Sequence, residues 1–353
     1  MKGISLFSGA GIGETYLSAL GINIVVANEV IEKRANLYRS INPCCDMVCG
    51  DITDEAIFEK IISLSHGIEF IIASPPCQGM SIAGKNRNQI DMASDVRNHL
   101  IYYVFKAITV LKPKYVLIEN VPAMLSLKLM HKEKFMTVVE ILNDKFGNEY
   151  NVESKIVDSA DCGVPQTRLR AIIKLYPKDE KWPWPMPVSH KVTVREAIGD
   201  LPSLESGESS DIKWHFARKH SLSHVICMRH TATGKSAFSN VKYFPKKKDG
   251  SRVKGYSSSY RRIKWDEPAP TITIRNDAIS SQRNVHPGRL QMDGTYSDAR
   301  VLTPYELMVL SSLPKNWPIP DDTPEILVRQ VIGEGIPPLM IKRIVGELKC
   351  LKR

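Results

Sequence analysis

EFIIASPPCQG, Glu69 to Gly79, sets the frame for the whole chain. FIIA is an apolar run of strand length, which suits a strand buried on both faces of a parallel sheet. Two prolines end it, because proline lacks the N–H that a sheet ladder needs and fixes its own backbone angle. Cys77 follows at once, on a stiff loop at a strand end, where open α/β sheets place their chemistry. A cysteine taken alone is more often a buried structural thiol, so its neighbours decide.

Outward from this strand, short β-rich runs alternate with helical patterns over the first 175 residues. GISLF, NIVVAN, DMVCGD, EFIIAS, YVLIEN and RAIIKL read as strands; helices are expected near Ile12–Leu20, Lys33–Ser40, Glu55–Leu64, Asn98–Leu111 and His131–Lys145. The alternation predicts βα units in a mostly parallel, doubly wound sheet. KWPWPMP, Lys181 to Pro187, is a stiff connector. Beyond it, to about Arg300, the texture is irregular and rich in Ser, Lys, Arg, Gly and His. Helical texture returns at TPYELMVLSSL. The expected plan is a catalytic and cofactor-binding domain over 1–187, a smaller inserted domain over 188–300, and a return to the first domain over 301–353.

Composition narrows the function. No apolar run approaches the roughly 18 residues of a membrane span. The N-terminus begins like a strand and turn, not a signal peptide. Seven cysteines with no CxxC pair argue against a disulfide scaffold and a zinc ribbon and for a reducing, cytoplasmic setting. The spacing of Cys45 and Cys49 is too weak a signal for a metal site, and none is expected. The net charge of +10 is concentrated: Lys213 to Arg300 holds 18 Lys and Arg against 6 Asp and Glu. An excess so confined favours a polyanionic partner. Within it Lys246, Lys247 and Lys248 are candidates for phosphates, and Arg261, Arg262 and Arg275 for base edges.

Acids and glycines mark the strand ends. LFSGAGIGE follows the first strand, where Gly9 and Gly11 let the backbone turn tightly beside a ligand. It is not the GxGxxG dinucleotide fingerprint, since Glu14 stands at the sixth position from Gly9, which counts against a nicotinamide oxidoreductase. Glu29 ends the second strand and is placed to hold ribose hydroxyls; Asp51 ends the third and suits an adenine amino group. A nucleoside ligand without a phosphate-binding lysine motif is most simply S-adenosylmethionine. Glu119 ends the buried strand YVLIEN, where an acid is either costly or functional.

FSGAGIGE, NE, GD, SPPCQGMSIAGK, ENV, QTRLR and GEGIPPLM occur in the order and approximate spacing of the DNA cytosine-5-methyltransferase family. The resemblance covers about Gly3–Leu175 and Ala299–Leu348, and the central basic segment corresponds to the family's target recognition domain. It implies a Rossmann-like fold that uses S-adenosylmethionine to methylate cytosine C5 in a specific duplex DNA sequence. Cys77 would add to C6 of a flipped cytosine while Glu119 supports protonation at N3; Arg168 would bind the base O2 and Arg170 orient Glu119 or the loop. Phe7 would stack on the adenine, with Pro76 near cofactor and base. Ser81, Lys85, Arg87, Gln166 and Thr271 are implied at the DNA. A monomeric, nucleoid-associated bacterial enzyme, paired with a restriction endonuclease, is the setting such proteins suggest. The chain departs from the family at Ile12 and Glu334, where glycine and asparagine are usual.

The family branch that methylates transfer RNA shares these motifs. The long basic insert, and a chain beginning at its first motif, favour duplex DNA. A catalytically silent DNA-binding regulator is disfavoured because both Cys77 and Glu119 are present.

Overall fold

The computed structural model describes residues 1–76 and 99–348. Five parallel strands form the heart of the molecule: β1 (Lys2–Leu6), β2 (Asn23–Glu29), β3 (Asp46–Cys49), β4 (Phe70–Ala73) and β5 (Tyr115–Asn120). Two more follow after a small hairpin, β6 (Lys128–His131) with β7 (Lys134–Thr137): β8 (Tyr150–Asp158) and β9 (Leu169–Pro177). The sheet runs β3-β2-β1-β4-β5-β9-β8, with β9 antiparallel to both neighbours. Strand order reverses between β1 and β4. The carboxyl ends of β1 to β5 therefore open onto one crevice, the ligand position in such sheets.

Alternation along the strands sorts the core into two layers. Ile71, Ala73, Val116 and Ile118 face helices α2 (Glu55–Leu64), α3 (Ile101–Leu111) and α4 (Val138–Phe146). Phe70, Ile72, Tyr115 and Leu117 face the opposite way, onto Trp182 of the proline-rich connector and onto Met340, Ile341, Ile344 and Val345. Those last four belong to the C-terminal helix, which packs on this face of the sheet. α1 (Glu32–Ile41) covers β2 and β3 through Ala35 and Tyr38.

Two expected elements differ. Ile12–Leu20 is not an α-helix but two 3₁₀ turns, Ile12–Glu14 and Ser18–Leu20. Gly11 enters with φ +75°, and Thr15 Oγ1 donates to Ile12 O at 2.7 Å, offering the backbone a local alternative to helix. The turn after β1 thus has no α-helix behind it. The helix expected from His131 starts only at Val138, capped by Thr137 and Glu140, because the hairpin occupies the residues before it.

Between the connector and residue 300 regular structure is sparse, with α5 (Val194–Ile198) and α6 (Leu222–Arg229) as its α-helices. A small core of its own gathers Met228, Tyr260, Ile279, Val285 and Val301. Three further helices follow: α7 (Pro304–Leu310), α8 (Glu325–Glu334) and α9 (Pro338–Val345). Among the described residues no helix is long and apolar enough to cross a membrane, and no cluster of His, Cys, Asp and Glu could hold a metal ion.

Candidate active site

The turn after β1 is built for close approach. Phe7 lies at φ +58° and Gly9 at φ +57°. A left-handed phenylalanine is strained, and such strain collects at ligand sites. Space is open at Gly9, where a Cβ would meet nothing within 4 Å; at Gly11 it would strike the Tyr38 ring at 2.8 Å. Gly9 thus leaves room for a ligand, and Gly11 is required by the protein's own packing.

Glu29 holds this turn from the end of β2. One carboxylate oxygen accepts the Gly9 N–H at 2.9 Å and the other the Ile31 N–H at 2.8 Å. The acid is only 6% exposed, yet each oxygen keeps further lone pairs for hydroxyl donors. Asp51 is exposed and accepts both Thr53 N–H and Thr53 Oγ1 at 2.9 Å. Asn28, which the sequence reading passed over, donates to Val48 O and Gly50 O at 3.0 Å and so locks the β2 end to the Gly50-Asp51 turn.

The second half of the crevice lies at β4, β5 and β9. Glu119, 6% exposed, accepts from Ser74 Oγ at 3.0 Å through one oxygen and lies 2.7 Å from Arg170 Nε through the other. Asn120 Nδ2 donates to Pro75 O at 2.7 Å. The last residues before Cys77 are therefore tied to the end of β5 by a side chain from each of Glu119 and Asn120. Asn120 and Ser74 were not singled out from sequence, although a buried asparagine at a strand end always needs a partner. Pro76 is half-buried beside this junction. Cys77, Ser81, Lys85 and Arg87 lie outside the described residues.

Of the two arginines of QTRLR, Arg170 stands against Glu119, and Arg168 turns into the protein instead. Expected at the cytosine O2, Arg168 is 3% exposed and donates to Ile272 O at 2.7 Å, Gly333 O at 3.1 Å and Glu334 O at 3.0 Å. Burial, with Arg170 nearby, pushes its guanidinium down to about 9. Gln166, expected at the DNA, is 1% exposed; its amide accepts from Ile272 N and donates to Ser311 Oγ. Both side chains thus join β9 to the segment around Ile272 and to the helices beyond it, facing away from any surface. Thr271 is exposed, with its hydroxyl on Thr167 O at 2.8 Å.

The departures from the family pattern have local explanations. Ile12 is buried against Gly335, where a Cβ would stand 2.8 Å from Ile12 Cδ1. The larger side chain at 12 is accommodated by an absent one at 335. Glu334 pairs with Arg34 on α1 at 2.5 Å. Burial raises its carboxyl above the ordinary value despite that cation.

The basic insert offers an exposed hairpin. Lys247 N donates to Ser251 O and Val253 N to Pro245 O, placing Lys246, Lys247 and Lys248 on the outside. Arg252 anchors it by donating to Phe238 O and Asn240 O while stacking 3.6 Å above Phe244. Arg262, a candidate for a base edge, is instead fully buried and donates to the carbonyls of Met228, His286, Ser297 and Asp298.

The sequence relationships agree with this arrangement. The family model for C-5 cytosine-specific DNA methylase matches residues 1–350. The Type II methyltransferase M1.HgaI of Avibacterium volantium is 59% identical over 350 residues, 99% of this chain and 98% of that protein. The Type II methyltransferase M1.HphI of Haemophilus parahaemolyticus is 28% identical, over 97% of this chain and 84% of that one. Among solved structures, the Entamoeba histolytica methyltransferase EhMeth superposes with a TM-score of 0.67 at 16% identity, over 100% of this chain and 99% of that chain. Spodoptera frugiperda DNMT2 gives 0.60 at 17% over the same shares. These two likenesses establish the fold. With one family model spanning nearly every residue, and a 59% identical relative matched almost end to end, the chain belongs to the C-5 cytosine-specific DNA methylases.

Proposed function

We propose that the protein methylates cytosine C5 within a specific sequence of duplex DNA, through a covalent adduct between Cys77 and C6 of a flipped base. Family membership gives the reaction, methyl transfer to cytosine C5 in DNA. The duplex, the site preference and the residue roles are the proposal. Its central support is the Glu119 carboxylate, held by Ser74 and Arg170 beside the residues that lead into Cys77 in the sequence.

Cytosine C5 is a poor nucleophile until something adds across the ring. As the Cys77 thiolate adds to C6, negative charge moves to N3, which takes a proton from the Glu119 carboxyl; the resulting carboxylate accepts from N3–H and from the exocyclic amine. Arg170, which holds Glu119, is the cation beside the acid and takes the role of stabilising charge at O2. Departure of the C5 proton and re-expulsion of the thiolate complete the cycle. S-adenosylmethionine, when bound, supplies an electrophilic methyl group. The strained turn at Phe7, the open face of Gly9 and the Glu29 acceptor fit its nucleoside part, with Asp51 near the adenine edge. The basic insert supports a polyanionic partner, with Thr271 at its closing edge. A monomer in a bacterial cytoplasm, with an endonuclease of matching site preference, is the simplest setting.

Duplex DNA carrying 5-fluorocytosine tests the chemistry, because fluorine cannot leave as a proton. Wild-type protein should form a covalent adduct stable in denaturing gels. Cys77→Ser should form none, and Glu119→Gln should form it roughly 10²–10⁴-fold more slowly. An adduct formed equally well by Cys77→Ser would overturn the nucleophile, and transfer RNA outcompeting duplex DNA as acceptor would overturn the substrate.

A further inference from the structure

Beneath the turn after β1 lies a carboxyl group that the methyl-transfer mechanism does not use. Glu14 is buried, and its partners come from different elements. Ser5 Oγ, on β1, donates to one carboxylate oxygen; Tyr38 Oη, on α1, donates to the other at 2.5 Å. The Tyr38 ring is the surface against which Gly11 is packed, with no room for even one added carbon. Phe7 to Gly13 is therefore clamped from below at both ends of its span: Ser5 just before it, Glu14 just after, and Tyr38 under its middle.

We propose that Glu14 is a positioning residue for the cofactor turn, which through Ser5 and Tyr38 sets how tightly S-adenosylmethionine and its product are held. This inference rests on the turn being the cofactor site. The two bonds are strongest to an ionised carboxylate. Two hydroxyls donate to it, and a protonated acid must surrender one acceptor position to its own proton. The same burial that makes the clamp stiff also opposes ionisation. Desolvation pushes Glu14 up to about 7, with the Ser5 and Tyr38 hydrogen bonds pulling the other way. Around the pair, Cys45 Sγ lies 3.6 Å from Tyr38 Oη, with Asp46 next to Cys45. On the opposite side of the turn, Lys342 of α9 sits 5.1 Å from the Tyr16 ring. Raising the pH through 7 therefore completes the clamp, and affinity should rise with it.

Equilibrium binding of S-adenosylhomocysteine to the full chain, by calorimetry between pH 6 and 8.5, reads this without turnover. Wild type should gain about tenfold in affinity across that window. Glu14→Gln keeps the shape but accepts on one oxygen only, so it should bind about tenfold more weakly at pH 8 and lack that part of the pH dependence. Any titration of the ligand's own amino group is common to both proteins, so the difference between their profiles isolates Glu14. Tyr38→Phe should weaken binding similarly, and in steady state both should raise the cofactor KM far more than they lower kcat. Affinity profiles for Glu14→Gln that superpose on wild type would overturn the inference. Wild type that fails to bind the ligand at all would instead remove the cofactor reading on which it stands.

Discussion

Arg170 Nε lies 2.7 Å from Glu119 Oε1, in a pair whose side chains are only 13% and 8% exposed. Removing one member of such a buried pair leaves the other uncompensated. Arg170→Ala should lower turnover by roughly 10²–10³, the size expected when one charge-stabilising donor is lost. It should also lower stability by leaving Glu119 without its cation, whereas Arg170→Lys should keep most of the stability. Arg168→Ala should show the opposite balance. It strands three buried carbonyls, at roughly 1–3 kcal/mol for each unsatisfied group, so the melting temperature should fall first. Single-turnover rates beside thermal melts separate the two, and a stable but inactive Arg168→Ala would return the base contact to Arg168.

Glu29 accepts the Gly9 N–H of the turn after β1 and the Ile31 N–H just beyond β2, and is the proposed acceptor for the ribose hydroxyls. Glu29→Ala should therefore weaken S-adenosylmethionine strongly while affecting saturated turnover less. Titration calorimetry with unchanged affinity would remove the ribose assignment.

Acid should loosen the join between the insert and α7. Arg300 donates to both Glu306 oxygens, at 2.8 and 2.9 Å, and to Asp298 at 2.9 Å. Burial alone would raise the Glu306 carboxyl, but Arg300 outweighs it and holds the group down at about 2. Asp298 is likewise held below its ordinary value, against burial, with Arg300 among the causes. Burial, reinforced by Arg300, pushes His286 down to about 3. All three bind protons more readily when unfolded, so stability is present at neutral pH and falls as pH falls. The melting temperature should begin to decline near pH 6.5, as unfolded His286 protonates, and decline more steeply from about 4.5 toward 2. Glu306→Gln should lose about 3–5 kcal/mol at pH 7 and flatten the steeper part. A flat melting profile from pH 7 to 3 would contradict this account.

On the insert, phosphate attraction and base reading should be separable. Lys247→Ala and Lys248→Ala should weaken binding to all DNA and reduce the salt slope by about 0.9 for each phosphate left without its lysine. Exposed Arg275 is the better candidate for a base edge, worth about 1–3 kcal/mol of discrimination. Arg262 cannot read bases from its buried position, and Arg262→Ala should unfold the insert. Binding isotherms at several salt concentrations would refute the assignment if the lysine variants kept the full slope.

The parallel strands were legible in sequence because they are apolar on both faces, and FIIA or YVLIEN cannot be mistaken for surface. β8 was missed for the converse reason. It is an edge strand with exposed Lys155 and Ile156, so its composition carries no buried run. The acids at strand ends were visible as charges where charge is costly, and Arg170 could be matched to one of them. The inward turn of Arg168 could not be read, since nothing in QTRLR itself separates the two arginines. Their difference arises from what the chain brings back more than a hundred residues later: Ile272, Gly333 and Glu334 around one, Glu119 beside the other. Gln166, implied at the DNA by the resemblance, and Arg262, a candidate for a base edge, instead satisfy buried N–H and carbonyl groups, which their positions in the sequence do not reveal.

The junction made by Gln166 and Arg168 touches the Ile272 segment through its main chain, the Ile272 N–H and carbonyl, which every residue except proline offers alike. A socket of that kind does not inspect the side chains it grips. On the proposed reading of the insert as the DNA-recognition segment, substitutions scattered through it would rewrite which bases are favoured without disturbing the catalytic centre, leaving one chemistry free to acquire new DNA addresses over evolutionary time.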